Sequence, residues 1–237
     1  MRTQTENQIS EQRQRLNAWL SDAYSRHPFV AKNGELEAGY PYWGEIETLV
    51  GRIFDEQVVR QLSPASVASL LFFISRSDEC GRIIAWLRPF TGTPFSNIGN
   101  LTYDDFVFLC EKAISDPDDF CDYQLVTCFQ KLAVLNANDE KLLEDFFSTK
   151  TDSYTRRMVV HAFAKFRHRN AVPLIQQLWS TDECEFAKLS CLYSLEPFIE
   201  ARTLLNGYLK EYQDRFPVGE EDYRRAHVDR LMAIVDK

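Results

Sequence analysis

At 237 residues the chain is long enough to bury a real hydrophobic core, as one large domain or two small ones. Hydrophobic residues make up 45% of it, which excludes wholesale disorder. The formal net charge of -8 disfavours a general nucleic-acid binder and favours neutral or basic partners.

The N-terminal residues carry no apolar run after their positive charges, so we expect no secretory signal. The longest apolar run, residues 68–74, is too short to span a membrane. We therefore predict a cytoplasmic protein without a membrane partner. The six cysteines contain no CxxC pair, so we expect buried thiols, no metal site and no cofactor.

Residues 6–25 place apolar side chains at helical spacing and predict an amphipathic helix. Two prolines and three glycines then mark residues 26–44 as a loop. This loop is unusually aromatic because it holds Tyr40, Tyr42 and Trp43. Two interpretations stay open: the rings pack under the first helix, or they form a partner-binding tip, since Tyr and Trp dominate interface hot spots.

The next segments alternate between helices and loops. Residues 45–54, 63–75, 78–87 and 102–115 have helical periodicity, and Ser63 followed by Pro64 is typical of a helix start. Pro, Gly, Ser and Asn crowd into residues 88–100, which predicts a loop of the kind that often carries function. The acidic turn at residues 116–120 lacks the glycine and distal glutamate of a calcium loop, so a solvated turn is expected.

A repeat becomes clear from residue 121 onward. First helices align as CFQKL, AFAKF and CLYSL, starting at Cys128, Ala162 and Cys191. Second helices align as LLEDFF, LIQQLW and LLNGYL, in a register that advances by about 30 to 34 residues. This period indicates stacked helix pairs, because one pair cannot bury both of its apolar faces alone. Asn170 is expected to cap a second helix, with Pro173 in its first turn.

At these residues the chain resembles the HEAT-repeat family of helical solenoids. The segment RRMVVHAFAKFRHRNAVPLIQQLW looks like the usual repeat: an Ala-containing first helix, a short basic turn and an AVP start to the second helix. The resemblance covers residues 121–216, and Arg167, His168 and Arg169 stand where the usual turn has Asp. It implies an all-α solenoid of stacked antiparallel helix pairs with a right-handed superhelix, but no single activity.

One helical-repeat domain of five or six helix pairs is the domain organisation we predict. Residues 1–60 would form an irregular N-terminal cap region, and residues 61–120 degenerate repeats. Residues 121–216 would form clear repeats, and residues 217–237 a C-terminal capping helix.

A cationic cluster stands out in this acidic chain. Its members are Arg156, Arg157, Lys165, Arg167, His168 and Arg169. Two interpretations stay open. The residues are solvent-exposed charges on a helix face and a turn, or they bind an anion or an acidic partner, because the Arg guanidinium forms paired hydrogen bonds with carboxylate and phosphate. Four residues of the last helix could extend the cluster: Arg224, Arg225, His227 and Arg230.

Motifs for catalysis are not evident. The chain has no HExxH, no Gly-rich phosphate loop and no nucleophile elbow, although a Cys–His pair distant in sequence stays open. Helical-repeat DNA glycosylases resemble it in length and class, but the net charge is opposite and no catalytic Asp matches. That nucleic-acid enzyme, or a small-molecule enzyme, is the alternative function.

Acidic residues concentrate in the middle third of the chain, where they either solvate an outer surface or attract a basic protein. We therefore predict a non-catalytic protein-binding scaffold or adaptor that uses a concave second-helix surface and its loops. An immunity or inhibitor protein for a basic partner is one version. The candidate binding residues belong to the aromatic loop, to a helix face and to the basic turn: Tyr40, Tyr42, Trp43, Arg156, Arg157, Arg167, His168 and Arg169.

Overall fold

The chain is described here by a computed structural model that covers residues 2–26, 39–77, 83, 101–116, 121–217, 219, 222 and 224–235. Over these residues the structure contains eleven α-helices and two short 3-10 helices, and no strand. The all-α prediction is confirmed.

Two compact units divide the chain, residues 1–133 and residues 134–237. We refer to them as the N-terminal and C-terminal units. The single-domain organisation, the solenoid arrangement and its handedness stay predictions.

Five of the α-helices lie in the N-terminal unit. They are α1 (Arg2–Arg26), α2 (Trp43–Asp55), α3 (Pro64–Arg76), α4 (Tyr103–Ser115) and α5 (Asp122–Phe129), with a 3-10 helix at Val59–Gln61. α1 packs against α2 and α3, and α3 packs against α4 and α5. The predicted loop at residues 88–100 lies outside the described residues, as does most of the helix predicted at 78–87.

Two helix starts in this unit, those of α3 and α4, are capped by side chains. The Ser63 hydroxyl accepts a hydrogen bond from the Ser66 N–H, and Pro64 occupies the first helical position, as predicted. At α4, Thr102 Oγ1 accepts from the Asp105 N–H at 3.1 Å and donates to Asp105 Oδ2 at 2.8 Å. Arg60 Nε donates to the other Asp105 oxygen at 2.9 Å, so a carboxylate with no exposed surface is bonded at both oxygens.

The other six α-helices lie in the C-terminal unit. They are α6 (Ala137–Thr149), α7 (Ser153–Lys165), α8 (Ala171–Thr181), α9 (Glu185–Leu195), α10 (Arg202–Arg215) and α11 (Arg225–Val235), with a 3-10 helix at Ile199–Ala201. α7 packs against α6 and α8, and α9 packs against α7, α8 and α10. α11 closes the series against α10, burying Val228 and Leu231.

Four of the six aligned repeat segments lie entirely within helices, and a fifth, AFAKF, overruns the end of α7 by one residue. The segment starting at Cys128 leaves the helix early, because α5 ends at Phe129. The N–H groups of Gln130 and Lys131 bond to carbonyls three residues back, at 3.2 and 2.9 Å, which tightens and ends the helix.

Asn170 lies at the N-cap position of α8, as predicted, but its side chain accepts no capping hydrogen bond. Asn170 has helical backbone angles and no capping bond, and its side-chain amide donates to Glu144 instead. α8 begins in a tight turn, in which the Ala171 N–H bonds to the His168 carbonyl at 3.0 Å. Pro173 does lie in the first turn of α8.

The five cysteines among the described residues form no disulfide, and four of them are buried. This agrees with the predicted buried thiols, with Cys184 only half-buried. Within the described helices, none combines the length and the apolar character needed to cross a membrane.

α6 offers a direct check on these helix starts. Asn136 accepts from the N–H groups of Asn138 and Asp139 at 2.8 and 3.0 Å, and Asp139 accepts from the Asn136 N–H. Replacing Asn136 with Ala removes this reciprocal cap and is expected to lower the free energy of unfolding by about 1 kcal/mol. Urea denaturation followed by circular dichroism measures it. A loss below the experimental error would contradict the capping role.

Candidate functional site

The three aromatic candidates gather around Tyr40 in the N-terminal unit, but Trp43 begins α2 and does not lie in the predicted loop. The Tyr40 ring makes edge contacts with Trp19, Tyr42 and Trp43, with centroids 5.5, 5.6 and 5.9 Å away. Tyr40 and Trp43 are only 3% and 2% exposed. Tyr42 stays 44% exposed, beneath the Arg15 guanidinium at 4.1 Å. Burial within this aromatic cluster therefore accounts for Tyr40 and Trp43, two of the three candidates.

The basic turn after α7 has a structural explanation at two of its three residues. Arg167 adopts a left-handed conformation, with φ of 49°, and the His168 N–H bonds across it to the Phe163 carbonyl at 2.9 Å. This geometry ends α7. The His168 ring stacks on Phe163 with centroids 4.7 Å apart, and its Nε2 lies 3.2 Å from a Glu140 oxygen.

Arg169, the third residue of the turn, borders a cleft of about 840 Å³. The cleft is lined further by Val172, Glu200, Ala201, Thr203, Leu204, Gly207, Tyr208 and Glu211. Arg169 thus borders a cleft, whereas Arg167 and His168 form the turn that ends α7.

Trp179 organises the interior behind this cleft. Its ring stacks on Tyr208 with centroids 4.0 Å apart and a 2° angle between planes, and its Nε1 donates to Glu211 at 3.1 Å. The ammonium of Lys188, which is 3% exposed, lies 4.8 Å from the Trp179 centroid and donates to the Trp179 carbonyl. A buried cation is therefore held by an aromatic ring and a helix carbonyl.

The Cys191 thiol lies in this interior. Burial raises the pKa of Cys191 to about 12, and the positive charge of Lys188 opposes that rise. The thiol therefore stays protonated near neutral pH and is a poor nucleophile.

Arg156 and Arg157 lie side by side on α7 but have different contacts. The Arg156 guanidinium lies over the Phe147 ring at 4.5 Å, and its buried Nε meets no acceptor among the described residues. The Arg157 guanidinium lies near the rings of Tyr154 and Phe186, 5.1 and 5.7 Å from their centroids. Its Nε donates to Ser190 Oγ at 2.8 Å.

The residues around Arg157 form what we call the α7–α9 face: Tyr154, Arg157 and His161 from α7, and Phe186 and Ser190 from α9. Tyr154 and Phe186 are 59% and 46% exposed, which is high for aromatic side chains of their size. A guanidinium held in place thus lies among exposed rings.

His161 lies one helical turn beyond Arg157. Its Nδ1 is 3.0 Å from Ser194 Oγ. Burial, and then the positive charge of Arg157, lower the pKa of His161 to about 4 from its ordinary 6.5. The imidazole is therefore neutral near pH 7, and Arg157 supplies the charge of the α7–α9 face.

This neutral histidine predicts acid sensitivity. The unfolded chain binds the proton near pH 6.5 and the folded chain near pH 4, so stability is full above 6.5 and falls as the pH drops toward 4. From about pH 7 to about pH 5 the loss is about 2 kcal/mol. The variant His161→Asn, which keeps a polar atom near Nδ1, should lack this part of the loss in urea titrations at both pH values. An equal loss of stability in the variant would show that His161 is not the source of the acid sensitivity.

The arginines at the start of and within the last helix are all ion-paired, so they add no unpaired positive charge to the cationic cluster. Arg224 pairs with Asp222 and Glu185, and its side chain is 13% exposed. Arg225 and Arg230 pair with Asp229 and Glu196 at 3.0 and 2.7 Å, respectively.

Sequence reasoning missed Tyr154, Phe186 and Ser190. A signal was present, because the repeat alignment places Arg157 and Phe186 at equivalent positions of successive first helices. Equivalent positions of stacked helices are neighbours. Comparison of the chain with protein-family models, with curated proteins and with solved structures returned no match.

Proposed function

We propose that this protein is a non-catalytic, HEAT-like cytoplasmic scaffold that binds another protein through the α7–α9 face. One observation carries the proposal: Arg157 is fixed by Ser190 among two exposed aromatic rings, those of Tyr154 and Phe186. Tyr, Phe and Arg are the residues enriched in the centres of protein interfaces.

The physical advantage of this face is that binding a partner costs it little side-chain entropy. A mobile arginine loses rotamer freedom when it binds, whereas Arg157 is already ordered by its hydrogen bond and ring contacts. The two exposed rings offer apolar area that a partner can remove from water. This surface lies on first helices, whereas the sequence favoured the second-helix side.

The chemistry of the unit supports binding over catalysis. Ser194 and His161 are hydrogen-bonded, as a nucleophile and its base would be, but Ser194 is 2% exposed. A substrate therefore has little access to that hydroxyl. The protonated Cys191 thiol supplies no nucleophile either.

Site-specific photo-crosslinking in the native cell tests the proposal. A photoreactive phenylalanine analogue replaces Tyr154 in one variant and Ile199, which is 72% exposed, in the matched control. We expect a protein adduct from position 154 that is absent from position 199. Equal adducts at both positions, or none at 154, would contradict the role of this face.

A further inference from the structure

The free edge of Arg157 identifies what kind of group the partner brings. The guanidinium uses Nε for Ser190, and its two terminal nitrogens form no hydrogen bond or ion pair among the described residues. Those nitrogens form a planar fork whose spacing matches the two oxygens of a carboxylate. We propose that Arg157 binds a Glu or Asp side chain of the partner, while an adjacent apolar side chain lies on Tyr154 and Phe186. This inference rests on the proposed protein-binding function.

Charge around the fork favours an anionic group. Within the described residues, neither Arg156 nor Arg157 forms an ion pair with a carboxylate, in contrast to Arg225 and Arg230 of α11. The neutral His161 adds no competing positive site. A partner carboxylate would thus meet the oriented Arg157 guanidinium, with the apolar rings of Tyr154 and Phe186 beside it.

The net charge of the chain and the exposed aromatic rings together determine which anion is expected. A phosphate of a nucleic acid would bring further negative charge toward a chain whose formal net charge is -8. A single carboxylate within a peptide brings one charge, and its neighbours can cover the exposed rings. The proposal therefore commits to an acidic peptide segment that also contains an aromatic or aliphatic side chain.

A random peptide library displayed on phage is the probe. It is panned against the full chain, against Arg157→Gln and against the matched control Arg225→Gln, which removes the same charge from α11. We expect the wild-type chain and the control to enrich peptides with Asp or Glu beside an aromatic or aliphatic residue. Arg157→Gln should not retain them.

Affinity measurements on the enriched peptides sharpen the test. Replacing the peptide's Glu with Gln should weaken binding by about 10- to 100-fold, because a charged hydrogen-bonded pair is lost. Arg157→Lys keeps the charge and loses the planar fork, so it should weaken binding by about 10-fold. Thermal melting of each variant separates loss of binding from loss of fold.

Several results would overturn the inference. They are enriched peptides without an acidic residue, equal binding to Arg157→Gln, and no enrichment at all. Arg157-dependent retention of random single-stranded DNA in place of peptides would also overturn it. A protein crosslinked from position 154 that still binds Arg157→Gln would leave the proposed function standing and remove this inference alone.

Discussion

Replacing Trp179 with Ala is expected to lower the free energy of unfolding of the C-terminal unit by about 4 kcal/mol. The substitution removes the ring that stacks on Tyr208 at 4.0 Å and that faces the buried Lys188 ammonium at 4.8 Å. It leaves a cavity, and it leaves a buried cation with less compensation. Urea denaturation followed by circular dichroism, with amide exchange of α8 and α10, measures the loss.

Trp179→Phe is the matched control for this prediction. It keeps an aromatic ring at the position and loses the Nε1 hydrogen bond to Glu211. We expect it to cost about 1 kcal/mol. A similar cost for both variants, or a cost below about 1 kcal/mol for Trp179→Ala, would show that the stack contributes little.

Replacing Asp105 with Ala is expected to destabilise the N-terminal unit by about 3 kcal/mol. The change removes the acceptor for Thr102 Oγ1 and for Arg60 Nε, at 2.8 and 2.9 Å. It also removes a negative charge from the first turn of α4, where the helix dipole favours one. Because the Arg60 side chain is 53% exposed, water can solvate it afterwards, which keeps the cost below that of a fully buried pair.

The neighbouring Asp104 provides the control. Its side chain is 71% exposed and lies 3.7 Å from Arg60 Nη1. Asp104→Ala should change the free energy of unfolding by less than about 0.5 kcal/mol, because exposed ion pairs contribute little. Both variants are compared by urea denaturation. Equal losses of unfolding free energy would show that the buried position of Asp105 adds nothing to its contribution to stability.

Helix positions followed well from the sequence, because apolar periodicity reports which side chains face a core. The start of α3 at Pro64 was predictable from the serine before it, whose capping bond is local. The end of α7 was less predictable, because Arg167 takes a left-handed conformation that sequences usually mark with glycine. The early end of α5 had no local signal at all.

The candidate site was only partly predictable. Arg157 was identified by its charge, but its contacts with Phe186 and Ser190 depend on how α7 and α9 pack. Lys188 shows the same limit, since a lysine in a helix is expected to face water. It is buried because the ring and carbonyl of Trp179 receive its ammonium, which only the folded unit brings together.

Co-purification from the native cell tests the central claim most directly, by comparing the Tyr154→Ser/Phe186→Ser variant with the wild-type chain. The matched control is Val134→Ser/Ile199→Ser, which removes two side chains, each 72% exposed, that do not belong to the α7–α9 face. We predict that the control retains the protein partner of the wild-type chain, and that the face variant loses it by at least about 10-fold. Retention of that partner by the face variant would contradict a binding role for the α7–α9 face.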